Sequence, residues 1–425
     1  MPDLPPLPPG EGRGEGNSTR QPTLAKRLAR APLAPTIAMA NRARALRAQG
    51  IDVISLTIGE PDFASPPHAI EAAYQAALNG DTKYPPNDGQ PALKHAIQRK
   101  FKRDNGLDFA LDEIAVSNGG KQTIYNALLA TLDDGDEVII PAPYWGAYPL
   151  TVQLIGGEPV IVNCPQNNGF RLRPEDLEAA ITPRTKWVIL NSPNNPTGAA
   201  YSADEIRALG AVLLRHPHVW IMSDDMYEHL VFDGFQHATM AAVEPRLRHR
   251  TLTVSGVSKT YAMTGWRIGF AAGPRALIKA MVTIQNHVSA GVSTVGQAAA
   301  VAALDGPQDA VPEMAAAYRR RRDLVVTALN DAPGLSCHQP EGAFYVYPNV
   351  AGCLGKTTPA GTVLRTDEDF ALALLEDQHV ALVHGAGFGM SPYVRISYAT
   401  DDASLTEACR RIQEFCSALR KLPHG

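Results

Sequence analysis

The stretch VSGVSKTYAMTGWRIGF, residues 254 to 270, places a single lysine, Lys259, among small and apolar residues, and Arg267 follows eight positions later. A lysine is a poor surface residue in such a glycine-rich, apolar setting, where desolvation lowers the pKa of its amine. An amine of that kind is available as a nucleophile or a general base. Arg267 is able to bind an anion through two hydrogen bonds. The stretch therefore predicts a reactive amine near an anion-binding side chain.

The stretch overlaps two members of a longer series of apolar runs. The runs are EIAVS (113–117), EVIIP (137–141), EPVIV (158–162), KWVIL (186–190), VWIMS (219–223), TLTVS (251–255) and WRIGFAA (266–272). Helix-length segments separate some of them, as at 121–132 and at 202–216, where Ser202 and Glu205 form a capping-box pattern. Apolar strands that alternate with helices predict an α/β fold with a mostly parallel sheet covered on both faces. Ligands bind such sheets at the carboxyl ends of the strands.

Length and composition limit the classes of function. The chain has 425 residues, of which 45% are hydrophobic and 19% charged, an ordinary composition for a soluble globular protein of two or more domains. The net charge of −4 argues weakly against nucleic acid or an anionic membrane as a partner. No apolar run is long enough to span a bilayer. The five cysteines lack metal-ligand spacing, which favours a reduced, cytoplasmic protein.

The same patterns predict how the chain is divided. The expected parts are a disordered tail (1–22), an N-terminal segment that packs with the small domain (23–65), a large domain (66–320) and a small C-terminal domain (321–425). The strand DVISL (52–56) lacks a partner nearby in the chain, which is why its segment is expected to pack with the C-terminal part. The domain boundary falls in or near a long helical pattern at 311–330. Its four consecutive arginines, 319–322, predict a solvated helix face.

Polar residues follow several of the predicted strands. SNGGKQ (117–122) has two glycines at a strand-to-helix junction, a turn that frees backbone amides for a phosphate but is also common elsewhere. NSPNNPTG (191–198) is either a plain turn or a set of amides aimed into a site. In SDDMYEHL (223–230), Asp224 either caps a helix or requires a cationic or donor partner. Together with Lys259 these features match one ligand, pyridoxal 5′-phosphate, which needs a lysine, an acidic partner and a phosphate site.

On these motifs the chain resembles a class I aminotransferase of the fold-type I pyridoxal-phosphate family, and most of all its bacterial aspartate/prephenate aminotransferase subgroup. The resemblance covers roughly residues 24 to 419, and its motifs, in the expected order, are IGEPDF, KYPPNDGQPALK, GGKQ, APYW, NSPNNPTG, SDDMYEHL, SKTYAMTGWRIG, GAFYV and YVRISYAT. It implies a mostly parallel central sheet with a smaller α/β domain. It also implies a homodimer with shared active sites.

The resemblance assigns the cofactor chemistry to particular residues. Lys259 matches the lysine that forms the Schiff base and moves the proton at the substrate α-carbon. Asp224 matches the carboxylate that keeps the pyridine nitrogen protonated. Tyr227 and Asn195 match the pair that hydrogen-bonds the ring hydroxyl oxygen.

The remaining site residues carry over in the same way. The phosphate-binding elements of the family match Gly119, Gly120, the backbone of Lys121, Ser258 and Arg267. Trp145 or Tyr144 provides the aromatic face against the ring, and the family favours the position of Trp145. Tyr84 matches a tyrosine that reaches the phosphate bound in the neighbouring subunit. Arg395 matches the arginine that binds the substrate α-carboxylate, with the backbone of Gly59 nearby.

The predicted substrate depends mainly on Lys121. In the subgroup the lysine of GGKQ is associated with the distal carboxylate of acidic substrates, which predicts aspartate or glutamate, although the same amine could instead serve the phosphate. Two departures leave prephenate open. Pro32 and Leu33 stand near positions where relatives often carry a lysine and then Pro-Ser. The segment IQNHVSAGVSTVGQ (284–297), with His287, differs from the Ser/Thr/Asn-rich version and is expected to line the pocket.

The leading prediction is a ping-pong aminotransferase that moves an amino group from an L-amino acid to a 2-oxo acid. One alternative is an aminotransferase of broader or aromatic specificity. A second is a lyase or decarboxylase that uses the same lysine and aspartate; the carboxylate-binding arginine and the subgroup motifs argue against it. A third is a non-catalytic ligand-sensing module fused to a DNA-binding domain, for which the 22-residue tail is too short.

Overall fold

A computed structural model describes residues 23–30 and 35–421, so the predicted tail (1–22), Pro32 and Leu33 lie outside the described residues. The helices are α1 (Pro35–Arg47), α2 (Pro67–Leu78), α3 (Pro91–Asn105), α4 (Gly120–Leu129), α5 (Ala147–Ile155), α6 (Pro174–Ala180), α7 (Ala203–Leu213), α8 (Met240–Val243), α9 (Arg275–Val288), α10 (Thr294–Asp305), α11 (Ala310–Asn330), α12 (Asp367–Gln378) and α13 (Asp402–Ala418). The strands are β1 (Ile54–Ser55), β2 (Ile114–Ser117), β3 (Glu137–Ala142), β4 (Glu158–Asn163), β5 (Thr185–Asn191), β6 (Trp220–Asp224), β7 (Thr251–Gly256), β8 (Gly269–Ala272), β9 (Tyr345–Val346), β10 (Lys356–Thr357), β11 (Val380–Ala381), β12 (Val383–His384), β13 (Val394–Ser397) and β14 (Arg420–Lys421).

All seven apolar runs form strands of a single sheet, in the order β2-β8-β7-β6-β5-β3-β4. The strands from β7 to β4 are parallel, whereas β8 runs antiparallel to both β7 and β2. Side chains alternate between two helical layers: Val138 and Ile140 pack with α4, α5 and α9, and Ile139 packs with α6 and α7. The predicted α/β fold with a mostly parallel, two-sided sheet is confirmed.

The last of the seven runs, WRIGFAA, forms a strand only from Gly269 onward. Residues Thr264–Trp266 form a 3-10 turn, and Arg267 has a left-handed backbone with φ of 57°. The chain therefore turns sharply between Lys259 and the strand before it enters the sheet. The predicted capping box at the start of α7 is confirmed, because the Ser202 hydroxyl accepts a hydrogen bond from the backbone amide of Glu205.

A second group of strands lies outside the large sheet. β1 pairs in parallel with β11, and β9, β12 and β13 form an antiparallel sheet. Met39, Val53 and Leu56 share one core with buried residues of α11, α12 and α13, so the strand DVISL does find its partner in the C-terminal part of the chain. The helix α11 runs unbroken through the predicted boundary at 320/321, and the domain limits themselves stay a prediction.

The four arginines of α11 do not all face solvent, as the sequence led us to expect. Arg319 and Arg320 are exposed, but Arg321 and Arg322 are buried. Arg321 bonds Asp62 at 2.8 Å, and Arg322 bonds Asp233 at 2.7 Å. Four consecutive residues pass around an entire helical turn, so a helix packed on one side must bury some of them.

A buried ion pair supports the loop that carries the predicted site. The ammonium of Lys100, in α3, lies 2.5 Å from Glu228, and both side chains are almost fully buried. Lys100 also donates to Asn105 Oδ1 at 2.7 Å, and Glu228 also accepts from the Ser255 hydroxyl at 2.8 Å. Burial alone would raise the pKa of Glu228, but the Lys100 charge holds that pKa well below its usual range.

Replacing Lys100 by Met should destabilise the protein by about 3–5 kcal/mol, because it leaves the Glu228 carboxylate buried and unpaired. The double variant Lys100→Met/Glu228→Gln should recover part of that loss. The measurement is the shift of the urea unfolding midpoint at fixed protein concentration. The matched control is Lys102→Met on the same helix: Lys102 forms an exposed pair with Asp108 and should contribute no more than about 1 kcal/mol. Equal shifts for the two single variants would contradict the role given to the buried pair.

Candidate active site

A cavity of about 570 Å³ opens at the carboxyl ends of β5, β6 and β7. This is the edge of the sheet at which the sequence predicted ligand binding. Eleven of the predicted site residues line it: Gly59, Gly120, Lys121, Trp145, Asn195, Asp224, Tyr227, Ser258, Lys259, Arg267 and Arg395. The described residues contain no group of side chains suited to hold a metal ion. No helix in the same part of the chain is long and apolar enough to cross a membrane.

Lys259 lies in the turn after β7, with its amine buried. The amine donates to the backbone oxygen of Gly59 and lies 5.7 Å from the ring centroid of Phe344. Burial lowers the pKa of Lys259 from 10.5 to about 8. A substantial fraction of the amine is therefore neutral at mildly alkaline pH, as a nucleophile or a general base requires.

Asp224 is the last residue of β6 and is buried at the floor of the cavity. Its Oδ2 accepts from the Tyr148 phenol at 2.6 Å, and its Oδ1 accepts from the amide of Met226 at 3.3 Å. Burial raises the pKa of Asp224 to about 6, and the neighbouring charge of Asp225 acts in the same direction. Among the described residues no cationic side chain forms an ion pair with this carboxylate. The position therefore suits a cationic group of a ligand.

The segment NSPNNPTG forms part of the site rather than a plain turn. The amide of Asn195 donates to Asn191 Oδ1 at 2.9 Å, and Asn195 Oδ1 accepts from Arg395 at 3.1 Å. Across the cavity, the phenol oxygens of Tyr227 and Tyr345 lie 2.9 Å apart. The side chains of Asn195, after β5, and Tyr227, after β6, therefore both line the cavity.

A cradle for an anion lies at the start of α4. The helix begins at Gly120 without a side-chain cap, so its first amides are free to bind an anion. Gly119, with φ of 80°, lies against the Arg267 guanidinium, and a Cβ there would come within 2.3 Å of Nη2. Arg267 is held by the backbone oxygen of Thr264 at 2.9 Å. Ser258 lines the cavity as well.

Arg395 is a buried cation without a carboxylate partner among the described residues. It is 3% exposed; Nη1 and Nη2 donate to Asn195 Oδ1 and to the backbone oxygen of Thr57, and Nε has no partner. The guanidinium lies 4.8 Å from the ring centroids of Tyr345 and of Phe388. Burial lowers the pKa of Arg395. A buried charge with only neutral partners is costly, so the site favours an anionic ligand.

Lys121 provides a further cation at the cavity. Its ammonium lies 5.3 Å from the ring centroid of Trp145. Burial, and then the positive charge of Arg267, lower the pKa of Lys121. The described residues place no carboxylate within ion-pair distance of it. Lys121 and Arg395 thus border one cavity, which Arg44, Lys259 and Arg267 also line.

Tyr84 lies outside the cavity of its own chain, with 93% of its surface exposed. The segment 284–297, expected to line the pocket, does not line this cavity either. It packs beside the turn that carries Tyr84: Asn286 bonds Asn87 at 2.7 Å, and Gly291 approaches Pro85. Ser293, Val295 and Gly296 of the segment line a neighbouring pocket with Glu60, Thr264 and Gly265, which also border the cavity, so the expected role of the segment stays a prediction.

Several lining residues were not predicted. Among them are Tyr148, Tyr345 and Asn191, together with Glu60 and the α1 residues Thr36, Ile37, Ala40, Asn41 and Arg44. Tyr345 lies in the motif GAFYV and Asn191 in NSPNNPTG, so both were in recognised stretches without an assigned role. Tyr148 lies three residues after Trp145. Tyr148 lies in the first turn of α5, whereas Trp145 precedes that helix, so helical spacing gave no signal for it.

The comparisons with known proteins identify the family. Residues 51–412 match the family model "Aminotransferase class I and II", so the chain belongs to that family. The predicted enzyme class, an aminotransferase, is confirmed.

Individual relatives are similar over almost the whole chain. The chain is 58% identical to an aspartate/prephenate aminotransferase of Cereibacter sphaeroides, over 93% of this chain and 99% of the relative. It is 55% identical to an aspartate aminotransferase of Rhizobium meliloti, over 93% and 96%. The crystal structure of the aspartate aminotransferase from Rhizobium meliloti superposes with a TM-score of 0.92 at 54% identity, covering 94% of this chain and all of that one. The structure of the aspartate aminotransferase of Thermus thermophilus with maleate superposes with a TM-score of 0.87 at 40% identity, covering 93% of this chain and all of that one. The predicted subgroup and fold type are confirmed.

Arg395→Met should leave stability unchanged or raise it when no ligand is present, because the variant removes a buried charge that has only neutral partners. The matched control is Arg322→Met: Arg322 is 2% exposed but is bonded to Asp233 and Asp323, so its loss should cost about 1–3 kcal/mol. The measurement is thermal unfolding of cofactor-free protein. An equal loss of stability in the two variants would show that Arg395 stabilises the fold, which would contradict its assignment to ligand binding.

Proposed function

We propose that the protein is a pyridoxal 5′-phosphate-dependent aminotransferase that moves the amino group of an acidic L-amino acid, aspartate or glutamate, to a 2-oxo acid in two half-reactions. The observation that carries the proposal is the convergence of Lys259, Asp224 and Arg395 on one cavity: Asp224 and Arg395 are buried, Lys259 is partly buried, and none forms an ion pair among the described residues. When bound, the cofactor supplies an aldehyde that takes up the amino group and a ring that withdraws electrons from the substrate α-carbon.

The residues fit this cofactor by charge and position. Asp224 would hold the proton on the ring nitrogen, since a buried carboxylate favours a cationic partner. Tyr227 and Asn195 would hydrogen-bond the ring hydroxyl oxygen. Trp145, at the edge of the cavity, would cover the face of the ring. Lys259 would bind the aldehyde carbon through its amine and then, once released, take and return the proton at the substrate α-carbon.

The phosphate would occupy the cradle at the start of α4. Its proposed ligands are Gly119, Gly120, the backbone of Lys121, Ser258 and Arg267. The free helix amides and the Arg267 guanidinium both favour a doubly charged anion. The substrate α-carboxylate would bind Arg395, which has an unpaired Nε, with Asn195 beside it and the backbone of Gly59 nearby.

The site is proposed to be completed by a second copy of the chain. Tyr84 is exposed and lies beside residues 284–297, so the two segments form one surface patch next to α9. In a homodimer Tyr84 would reach the phosphate in the partner's cavity. The patch accounts for two predicted site elements that do not reach the cavity of their own chain.

The preference for acidic substrates rests on Lys121, a cation of the cavity that is assigned neither to the cofactor ring nor to the α-carboxylate. A relative of known structure from Thermus thermophilus was solved with maleate, a dicarboxylate. A substrate with two carboxylates would pair one with Arg395 and the other with Lys121. Broader specificity and lyase chemistry are the alternatives that the experiments below separate.

Protein loaded with pyridoxal 5′-phosphate should convert L-aspartate and L-glutamate to their 2-oxo acids, with one equivalent of pyridoxamine phosphate formed for each equivalent of product. Spectra of the bound cofactor measure the pyridoxamine phosphate, and chromatography measures the 2-oxo acid. Lys259→Ala should slow this step by about 10²–10⁴-fold, since the variant removes the group that moves the α-proton. Lys279→Ala, at an exposed lysine of α9, should change nothing. Release of ammonia or carbon dioxide in place of amino transfer would favour the lyase.

Lys121→Met should lower kcat/KM for aspartate and glutamate by about 10–100-fold, the loss of a charge-assisted hydrogen bond, and leave phenylalanine unaffected. The measurement is the half-reaction rate with each of the three amino acids. If Lys121 serves the phosphate instead, all three rates should fall together and the dissociation constant of the cofactor should rise. A wild-type enzyme that uses phenylalanine as readily as aspartate would contradict the proposed preference.

A further inference from the structure

The contact between Tyr148 and Asp224 joins α5 to the end of β6. The phenol donates to Asp224 Oδ2 at 2.6 Å, and both side chains are buried. The Tyr148 ring also packs edge-on against Trp145, with the ring centroids 5.4 Å apart. Packing and hydrogen bond together hold the phenol in one orientation.

The two carboxylate oxygens of Asp224 are held unequally. Oδ2 has the short bond from the phenol, whereas Oδ1 has only the amide of Met226 at 3.3 Å. The backbone oxygen of Asp224 accepts from Asn191 at 2.9 Å and so anchors the strand end. Oδ1 is therefore the oxygen that remains free for a strong bond to a ligand.

The other groups around Asp224 do not stabilise its negative charge. Asp225, next in the chain, carries a charge of the same sign, and its own nearest cationic candidate is His237 at 3.6 Å. Tyr227 faces the pair from the turn after β6, and its phenol is bonded to Tyr345. Tyr148 is thus the one side chain among the described residues that donates a hydrogen bond to this carboxylate.

We propose that Tyr148 is a positioning residue that holds the Asp224 carboxylate in its ionised form with Oδ1 directed to the ligand. This rests on the function proposed above, in which Asp224 retains the proton of the ring nitrogen. A tyrosine suits the task because it donates without adding a charge, so Asp224 keeps its full attraction for a cationic ring. Burial and the charge of Asp224 hold the pKa of Tyr148 well above its usual value, so it stays a donor.

The consequence for stability without cofactor has a definite sign. The pKa of Asp224 is about 6 in the folded chain, whereas the ordinary pKa of an aspartate is 3.8, so the folded state binds more protons between these two pH values. Stability contributed by Asp224 therefore falls as pH rises from about 4 to 6 and then levels off. Without the Tyr148 donor the folded pKa rises further, and the fall extends above pH 6.

Tyr148→Phe should lower the unfolding temperature of cofactor-free protein more at pH 8 than at pH 5, by about 2 °C or more. It should also raise the dissociation constant of pyridoxal 5′-phosphate at pH 8 by about tenfold. The control is Tyr347→Phe: Tyr347 is buried and its phenol donates to the backbone oxygen of Met390 at 2.8 Å, so the loss of stability should be equal at both pH values and cofactor binding should be unchanged.

The outcomes separate this inference from the proposed function. A loss in Tyr148→Phe that is equal at the two pH values overturns the positioning role, even if the wild type binds the cofactor. A wild type that binds no cofactor overturns the proposed function, while the pH-dependent loss can still be observed. If Tyr148→Phe does not fold, Asp224→Asn replaces it as the test. That variant should abolish the fall in stability between pH 4 and 6, and a persistent fall would assign the effect to another group.

Discussion

The register of three parallel strands is the constraint on which the site depends. Asn191 of β5 pairs with Asp224 of β6, and Asp224 pairs with Val254 of β7. The chain segments that leave these strands therefore begin side by side, and they bring Asn195, Tyr227 and Lys259 to one cavity. A shift of one residue in β6 would turn Asp224 toward the opposite face of the sheet. Helices on both faces prevent that shift, because it would also bury polar side chains and expose apolar ones.

Buried charges in this protein fall into two classes. Lys100 and Glu228 neutralise each other and have additional hydrogen bonds, so they stabilise the loop behind the site. Lys259, Asp224 and Arg395 have only neutral partners: a backbone oxygen, a phenol and amide or backbone oxygens. Such groups lower the stability of the unliganded protein. Their cost is offset when a ligand of complementary charge binds, so the lower stability of the ligand-free protein is linked to its affinity for that ligand.

Much of this arrangement could be predicted because its signals are local. Each of the seven apolar runs forms a strand, and the Ser202 capping box begins α7 where expected. Eleven predicted site residues line the cavity, since strand ends of a parallel sheet share one edge. The expectation failed where neighbours distant in sequence decide the outcome. Arg321 and Arg322 are buried, and each pairs with an aspartate far away in the chain, Asp62 and Asp233 respectively. The segment 284–297 packs beside Pro85 and Asn87, and no local pattern encodes these contacts.

The sequence by itself determined the type of fold, the edge at which ligands bind and the chemical character of the site. Each of these follows from periodicity, turn residues and side-chain type, which are properties of short stretches. Only the tertiary structure decided which oxygen of Asp224 is free, that Arg395 has no carboxylate partner among the described residues, and that Tyr84 lies exposed outside the cavity of its own chain. Those outcomes depend on distances between segments up to several hundred residues apart. Hydrogen-bond partners and desolvation are set by those distances, and no local pattern encodes them.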